Sequence, residues 1–383
     1  MRTPIHPYHQ TMSQKIVSFH GWLMPLYFSS IIREHRAVRG SAGIFDVSHM
    51  GKIYLNGVDI AERLQGLLPN TVPRKEGVCR YTHLLDEKGR IIDDVIISCL
   101  RVDEYLCVCN AGPTSRVVSW FRWWLGDSET RDLTHDLVCL ALQGPRSETV
   151  LQPLVSADLG KLRSFRGVTT EFTGDIQGLD SLPVEIEGWA SLPSLLDWDG
   201  ANNHKTIYIT RTGYTGEDGF EIFAPNELGK AIWSAVVLSD TGVRVIPAGL
   251  AARDTLRLEK GYLLSGQDFD GEQTPLEVGY DWLVKWDHDF VGRSQLLQLR
   301  RKGGFTRLMG VRLESKGVPR RGNRIYWEGK EVGFLTSATL SPTLKAGIGL
   351  GYLQPEACVE GRQVELDIRG TRHRAQVVKP PFV

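Results

Sequence analysis

The feature that most constrains the fold of this 383-residue chain is a change of pattern near Phe305. Before Phe305, segments with helix signals and strand-like segments follow one another without a regular βαβ rhythm. This order favours an α+β fold over a doubly wound parallel sheet. After Phe305, short strand-like segments are separated by Gly, Pro and Ser, and helical patterning is nearly absent. Strands at this spacing predict a small closed β-barrel as a C-terminal domain.

Start and stop signals, such as Gly261 after a run of Leu and Arg, predict helices in four places. These helices are Ser30–Gly40, Val58–Leu68, Pro113–Leu125 and Pro247–Lys260. Runs rich in β-branched or aromatic residues predict strands. Before Phe305 these are Gly51–Leu55, Ile91–Leu100, Glu104–Cys109, Leu137–Leu142, Thr206–Thr210 and Phe220–Phe223; after it they are Leu308–Leu313, Arg324–Trp327, Glu331–Leu335 and Gln363–Ile368. The stretch 178–204, rich in Pro, Gly, Ser, Asp and Asn, is predicted to be a surface insertion.

The composition argues against two kinds of partner. Lys plus Arg equals Asp plus Glu at 45 each, so the chain has no global basic excess of the kind that grips nucleic acid. No stretch approaches the roughly 20 apolar residues of a membrane helix. We therefore expect no nucleic-acid partner and no membrane span.

The six cysteines include no C-x-x-C pair, so we expect reduced, buried thiols and no metal site. Reduced thiols fit a reducing compartment. The N-terminal residues show neither a signal peptide nor a transit peptide. These features predict a cytoplasmic protein, or a protein of the mitochondrial matrix if the sequence is a processed mature form.

Two adjacent aspartates, Asp93 and Asp94, interrupt the apolar run 91–97, which predicts a strand buried on both faces. Successive strand side chains point to opposite sides, so at least one carboxylate should meet protein rather than water. An unpaired buried charge is costly, and its presence implies a partner or a task. The alternative is a carboxylate that caps a turn or pairs with a nearby arginine.

Three glycines lie between two strand-like runs in the stretch 210–221, where they allow a tight turn and a close approach of the backbone. The stretch lacks the pattern and the following helix of a phosphate loop. Glu221 then shares a strand face with Phe223. A carboxylate beside an aromatic ring suits a planar ligand with two adjacent N–H donors, such as the amino-pyrimidinone edge of a pterin. The alternative is an ordinary hairpin with Glu221 in solvent.

The predicted helix that contains residues 248–259 places Arg253 and Arg257 one turn apart on one face. Like charges at this spacing repel by about 0.2–0.5 kcal/mol. An anion between them, such as a carboxylate of a folate tail, would reverse the sign, and so would Asp254. The alternative is a solvated face with pairs inside the helix.

Nine collinear segments resemble one known family and span nearly the whole chain. They are residues 19–26 (FHGWLMPL), 43–51 (GIFDVSHMG), 91–94 (IIDD), 142–145 (LQGP), 211–219 (RTGYTGEDG), 249–259 (GLAARDTLRLE), 274–277 (TPLE), 289–292 (DFVG) and 341–344 (SPTL). The family is the T-protein, the aminomethyltransferase of the glycine cleavage system. The resemblance implies a three-domain cloverleaf with a central folate cavity. Residues 1–285 would form the folate-binding region of two intertwined α+β subdomains, and residues 286–383 the barrel domain.

The resemblance also assigns roles to residues. It implies that Asp94 is the catalytic carboxylate near the folate N5/N10 edge, that Glu221 binds the pterin and that Arg253 contacts the ligand. Four further positions would line the folate cavity, namely Tyr81, Asn110, Tyr214 and Trp282. The implied reaction passes the methylene of the aminomethyl-dihydrolipoyl H-protein to tetrahydrofolate, the co-substrate, and releases ammonia and 5,10-methylenetetrahydrofolate without a metal.

Two alternative functions use the same scaffold. A folate-dependent O- or S-demethylase would keep the cavity, but the uninterrupted DVSHM and GLAARD segments argue against it. A non-catalytic iron–sulfur maintenance protein would carry K-G-C-[FY]-x-G-Q-E, which residues 260–268 do not match. The chain departs from the family pattern at Ser265, where many members have Tyr, in the long 178–204 insertion and at its short C-terminus.

The implied partner is the lipoylated H-protein. A basic cluster in the C-terminal part of the chain would attract an acidic carrier, and it comprises Lys316, Arg320, Arg321 and Arg324. The alternative is a solvated basic turn.

Overall fold

The structure is a computed structural model that describes residues 1–174 and 205–383. The predicted insertion, 178–204, lies outside the described residues. The helices are α1 His6–Met12, α2 Ile31–Gly40, α3 Ile60–Gln65, α4 Thr114–Leu125, α5 Ser147–Leu151, α6 Asn226–Val237, α7 Leu250–Glu259 and α8 Arg293–Lys302. No helix within the described residues is long and apolar enough to cross a membrane.

The strands before α8 are β1 Lys15–Phe19, β2 Trp22–Tyr27, β3 Ala42–Asp46, β4 Gly51–Asn56, β5 Cys79–Leu85, β6 Ile91–Arg101, β7 Glu104–Cys109, β8 Thr130–Asp132, β9 Leu137–Gln143, β10 Gly167–Glu171, β11 Thr206–Thr210, β12 Gly219–Pro225 and β13 Val245–Pro247. The strands after α8 are β14 Arg307–Leu313, β15 Arg324–Trp327, β16 Lys330–Leu340, β17 Gly347–Leu353, β18 Gln363–Ile368 and β19 Thr371–Val378. The mixture of helices and sheets confirms the predicted α+β class.

Two predicted helix boundaries were wrong because of backbone geometry. The helix predicted from Pro247 begins instead at Leu250, since Pro247 ends a strand that pairs in parallel with Ile44. The helix predicted from Val58 begins at Ile60, because Asp59 adopts a left-handed conformation with φ of 53°. The other two helices are confirmed, and α2 begins where the Ser30 side chain accepts a hydrogen bond from the backbone N–H of Arg33.

Two sheets carry the first part of the chain. One has five strands in the order β5-β6-β7-β4-β8, and the other has six in the order β10-β11-β12-β9-β3-β13. A shared core between them includes Phe45, Tyr54, Leu106, Phe223 and, from α7, Leu256. Burial of these apolar side chains, at about 25 cal/mol per Å², fixes the sheets and α7 against one another.

The strands after α8 close into a barrel in the order β14-β17-β16-β15-β18-β19, which confirms the predicted C-terminal barrel. Arg257 of α7 joins the barrel to the rest of the molecule. Its guanidinium donates to Asp254 at 2.8 Å, to Asp268 at 2.7 Å and to Ser337 of β16 at 2.8 Å, and the side chain is 1% exposed. A buried arginine with three side-chain partners, which also donates to the Tyr262 carbonyl at 2.9 Å, fixes the rotation of α7 and so determines which face α7 turns towards the interior.

Candidate active site

Strand β6 carries the adjacent aspartates, which point to opposite sides as predicted. Asp93 is fully buried in protein, whereas Asp94 lines an internal cavity of about 820 Å³. This volume lies in the range of small-molecule sites. The seven site residues predicted from the sequence all line this same cavity, namely Tyr81, Asp94, Asn110, Tyr214, Glu221, Arg253 and Trp282.

Two donors hold the Asp94 carboxylate. The Tyr81 phenol donates to Oδ2 at 3.0 Å, and the Asn110 amide nitrogen donates to Oδ1 at 2.7 Å. Burial raises the pKa of Asp94 above its ordinary value, while the two hydrogen bonds lower it. Burial, together with the charge of Asp94, raises the pKa of Tyr81, so the phenol keeps the proton that it donates. The site therefore presents an oriented carboxylate of increased basicity.

Glu221 lies in β12 on the wall of the cavity. It is 6% exposed and accepts a hydrogen bond from Thr212 Oγ1 at 2.5 Å, so the alternative of a solvent-exposed Glu221 is wrong. The position follows from strand pairing, because β12 lies between β11 and β9 in the six-stranded sheet. A buried carboxylate with one protein donor retains acceptor capacity for a ligand.

The glycine-rich loop approaches protein backbone and side chains closely, which explains its composition. A Cβ at Gly213 would lie 2.0 Å from Gln143 Oε1, and Gly216 adopts a φ of +74°. Gln143 in turn accepts from Thr215 Oγ1 at 2.8 Å and donates to the carbonyl of Thr212 at 3.1 Å. The loop is thereby fixed against β9, with Thr212 in place to donate to the carboxylate of β12.

Helix α7 directs its two arginines to different tasks. Arg257 forms an ion pair with Asp254 inside the helix, as the alternative of intrahelical pairs predicted, and a second ion pair with Asp268 outside the helix. Arg253 stacks over the Tyr214 ring at 4.7 Å from the centroid, and its Nη2 contacts Met50 Sδ at 3.7 Å. Its Nη1 is buried with no hydrogen-bond partner among the described residues. Arg253 is therefore the arginine with capacity for a ligand.

Aromatic side chains surround the Asp94 end of the cavity. Tyr81 stacks with Trp282 at 6.3 Å between centroids and meets Tyr280 edge-on at 5.9 Å. Trp282 is 58% exposed, so it lies at the rim of the cavity. The Tyr214 hydroxyl donates to the carbonyl of Leu263. These contacts give the cavity flat apolar walls with a few directed polar groups, as in small-molecule sites.

The sequence-based assignment gave no role to His49, which also lines the cavity. His49 is 4% exposed and packs edge-on against Phe19 at 5.6 Å. Burial, aided by the charge of Arg253, lowers the pKa of His49 to about 3. Fully buried Lys52 donates to the carbonyls of the two residues that flank His49 in the chain, Ser48 at 2.7 Å and Met50 at 2.9 Å. The one sequence signal for this arrangement is the lysine at position 52, which lies in a predicted strand directly after the SHM segment.

Comparisons with known proteins give a consistent result. Two family models match, the "GCVT N-terminal domain" over residues 5–180 and 198–288 and the "Glycine cleavage T-protein C-terminal barrel domain" over residues 306–383. An aminomethyltransferase of Halothermothrix orenii is 37% identical, with 100% of this chain and 99% of the relative covered. An aminomethyltransferase of Thermosynechococcus vestitus is 40% identical, with 100% of this chain and 95% of the relative covered. The crystal structure of glycine cleavage system aminomethyltransferase T from Bartonella henselae gives a TM-score of 0.85 at 29% identity, with 100% of this chain and 98% of that chain covered.

The fold and the cavity with its oriented carboxylate define an α+β transferase that ends in a closed barrel. The chain belongs to the glycine cleavage T-protein family. Its activity is that of an aminomethyltransferase of the glycine cleavage system, and the relatives favour this activity over the demethylase and iron–sulfur alternatives.

Proposed function

We propose that the cavity binds tetrahydrofolate as the co-substrate, with the pterin near Glu221 and Arg253. The cavity volume of about 820 Å³ is sufficient for a ligand of that size. Glu221 supplies acceptor oxygens for the amino-pyrimidinone edge, and the unpartnered Nη1 of Arg253 supplies a donor nearby. The aromatic walls formed by Tyr81, Tyr214 and Trp282 suit a flat ring system.

The proposed reaction moves one carbon from sulfur to the co-substrate. The donor is an aminomethyl group bound as a thioaminal to the dihydrolipoyl arm of the H-protein. The carbon–nitrogen and carbon–sulfur bonds of the thioaminal break, and the methylene becomes bonded to N5 and N10 of tetrahydrofolate. Two hydrogens leave these nitrogens, one for ammonia and one for the thiol, so the atoms balance without an oxidant.

Asp94 is the residue that we assign to catalysis, and its geometry is the observation that carries the proposal. The carboxylate faces the cavity, and Tyr81 and Asn110 hold both of its oxygens. It orients the attacking nitrogen, stabilises positive charge that develops as ammonia leaves, and accepts the nitrogen's proton. Proton transfer by a positioned group contributes roughly 10²–10⁴-fold in rate. The raised pKa of Asp94 makes this carboxylate a better base.

The proposed partner is the lipoylated H-protein, which must bring its arm to the cavity. Lys316, Arg320 and Arg321 are exposed beside the barrel, and we propose that this basic segment attracts the carrier. Arg324 contributes less than its sequence position suggested, because it forms an ion pair with Glu331 at 3.0 Å.

A reconstituted reaction tests the proposal directly. Purified protein, tetrahydrofolate and aminomethyl-loaded H-protein should yield ammonia and 5,10-methylenetetrahydrofolate in equal amounts. A matched reaction without tetrahydrofolate should give no methylene transfer. Binding of tetrahydrofolate is measured separately by calorimetry on the protein and on Glu221→Gln. A co-substrate that bound equally well to both proteins would contradict the assignment of the pterin end.

A further inference from the structure

Asp93 is the aspartate that does not face the cavity, yet the structure connects it to the one that does. The Asn110 amide nitrogen donates to Asp93 Oδ1 at 2.8 Å and to Asp94 Oδ1 at 2.7 Å. The backbone N–H of Asn110 donates to the other Asp93 oxygen at 2.8 Å. A single amide group therefore spans the two carboxylates, and Asp93 holds it at two points.

The position of Asp93 excludes direct contact with a substrate. Its side chain is 0% exposed, and a third donor, Ser265 Oγ, reaches its Oδ1 at 2.8 Å. The backbone of Asn110 is fixed as well, since Thr114 Oγ1 donates to its main-chain carbonyl at 2.9 Å. A carboxylate with three donors is a rigid acceptor, so it determines how the amide beside it is oriented.

The orientation of Asn110 matters because a carboxamide has two unlike ends. With its nitrogen towards Asp94, Asn110 donates to a carboxylate; after a flip its oxygen would face that carboxylate and repel it. Without Asp93, the amide keeps Asp94 as an acceptor but loses one of the two carboxylates that favour the first orientation. Asp94 would then lose one of its two side-chain donors for part of the time.

We propose that Asp93 is a positioning residue that locks the Asn110 amide and thereby keeps the Asp94 carboxylate oriented and hydrogen-bonded. The inference rests on the proposed role of Asp94. It adds a residue that acts on the reaction without touching either substrate.

The acidic limb of the pH–kcat profile reports the pKa of Asp94. A purely structural role of Asp93 would not shift this limb through Asn110. Loss of the Asn110 donor raises the pKa of Asp94, so Asp93→Asn should move the acidic limb to higher pH. Other groups facing the pair stay constant in the comparison, and these are Tyr81, Cys107, Cys109, Tyr214, Asp268 and Tyr280. Removal of Asn110 itself tests whether the shift passes through that donor.

The test is a double-mutant cycle of Asp93→Asn and Asn110→Ala in the full chain, assayed with tetrahydrofolate and aminomethyl-loaded H-protein. Asp93→Asn should lower kcat by roughly 10–100-fold, the value of a hydrogen bond to a charged group, while KM for tetrahydrofolate changes little. In the Asn110→Ala background the same substitution should change kcat by less than about threefold. There it should leave the acidic limb where Asn110→Ala alone places it, whereas in the wild-type background it should move the limb to higher pH.

Equal losses of kcat in both backgrounds, or an unchanged kcat for Asp93→Asn alone, would overturn the proposal. If Asp93→Asn does not yield folded protein, Asp93→Ser, which is smaller and retains an acceptor, replaces it with the same expectations. Asp94→Asn is assayed in parallel as a control for the proposed catalytic role. Normal turnover of Asp94→Asn would refute the proposed catalytic role itself, whereas an inactive Asp94→Asn with additive Asp93 effects would refute only the lock.

Discussion

Replacement of Asp94 by Asn is the sharpest perturbation of this active site, because it removes a charge and leaves the shape nearly unchanged. The side chain lines the cavity between two donors, at 3.0 Å from Tyr81 and 2.7 Å from Asn110. An asparagine in this place can still accept from one donor. The structural change should therefore be small, and the effect should appear in the chemistry.

The expected magnitude follows from the charge that the substitution removes. A positive charge that develops about 4 Å from a carboxylate gains about 4 kcal/mol at an effective dielectric constant of 20. That energy corresponds to roughly 10³-fold in kcat. Loss of the proton acceptor acts on the same step. General base catalysis usually contributes about 10²–10⁴-fold in rate, which agrees with this value. Because the proposed pterin end comprises Glu221 and Arg253, tetrahydrofolate affinity should change by less than about threefold.

Single-turnover kinetics with aminomethyl-loaded H-protein measures the effect, with ammonia and 5,10-methylenetetrahydrofolate followed in parallel. Glu221→Gln is the matched control, since it makes the same chemical change on another wall of the cavity. Glu221→Gln should mainly weaken tetrahydrofolate binding, by roughly 10–100-fold. Turnover of Asp94→Asn within about tenfold of wild type would refute the reasoning, because neither electrostatic stabilisation nor proton transfer would then depend on this carboxylate.

Three further predictions test other parts of the molecule. Tyr81→Phe removes a donor that lowers the pKa of Asp94, so the acidic limb of the pH–kcat profile should move to higher pH; an unmoved limb would contradict the proposed contact. Charge reversal of Arg320 and Arg321 should raise the apparent KM for H-protein by roughly tenfold at low salt, and less at high salt, whereas Lys330→Glu at the start of β16 should not; equal KM values for the charge-reversed and parent proteins would contradict the docking hypothesis. Burial lowers the pKa of His83 to about 3, so the folded state resists a proton that the unfolded state binds below about pH 6.5, and stability is lost as pH falls from 6.5 towards 3. Urea unfolding at pH 7 and pH 5 should show that His83→Phe loses roughly 2 kcal/mol less over this interval than the parent, and equal losses would contradict the assignment.

The sequence predicted much of the architecture because its signals are local. The apolar run around Asp94, the helix signals of the segment 30–40 and the turn-separated strands after Phe305 each report a local preference, and β6, α2 and the barrel match them. The start of α7 was missed because pairing of Pro247 with Ile44 is a contact between distant segments. Helix propensity cannot register such a contact.

The same distinction applies to the site. The resemblance named the residues that line the cavity, and each of those is found there. The partners that hold them escaped prediction, because they come from other elements: Thr212 reaches Glu221 across a hairpin, and Ser265 reaches Asp93 over a sequence separation of 172 residues. Lys52 was missed for a different reason, since a lysine in a strand is ordinarily expected at the surface.

The number of donors around Asp94 explains how one carboxylate can serve both as an electrostatic partner and as a base. More donors would lower its pKa and make it a weaker base, as at an N-cap or in a multiple ion pair. Fewer donors would leave a buried charge without partners, and the carboxylate would then become protonated to avoid the cost of that charge. Two side-chain donors, with burial acting against them, leave the pKa raised but the carboxylate oriented. On this reasoning an added donor should slow proton transfer, and a removed donor should narrow the pH range of activity. Tyr81→Phe and Asp93→Asn both test the second outcome, the first through the Tyr81 donor and the second through the Asn110 donor.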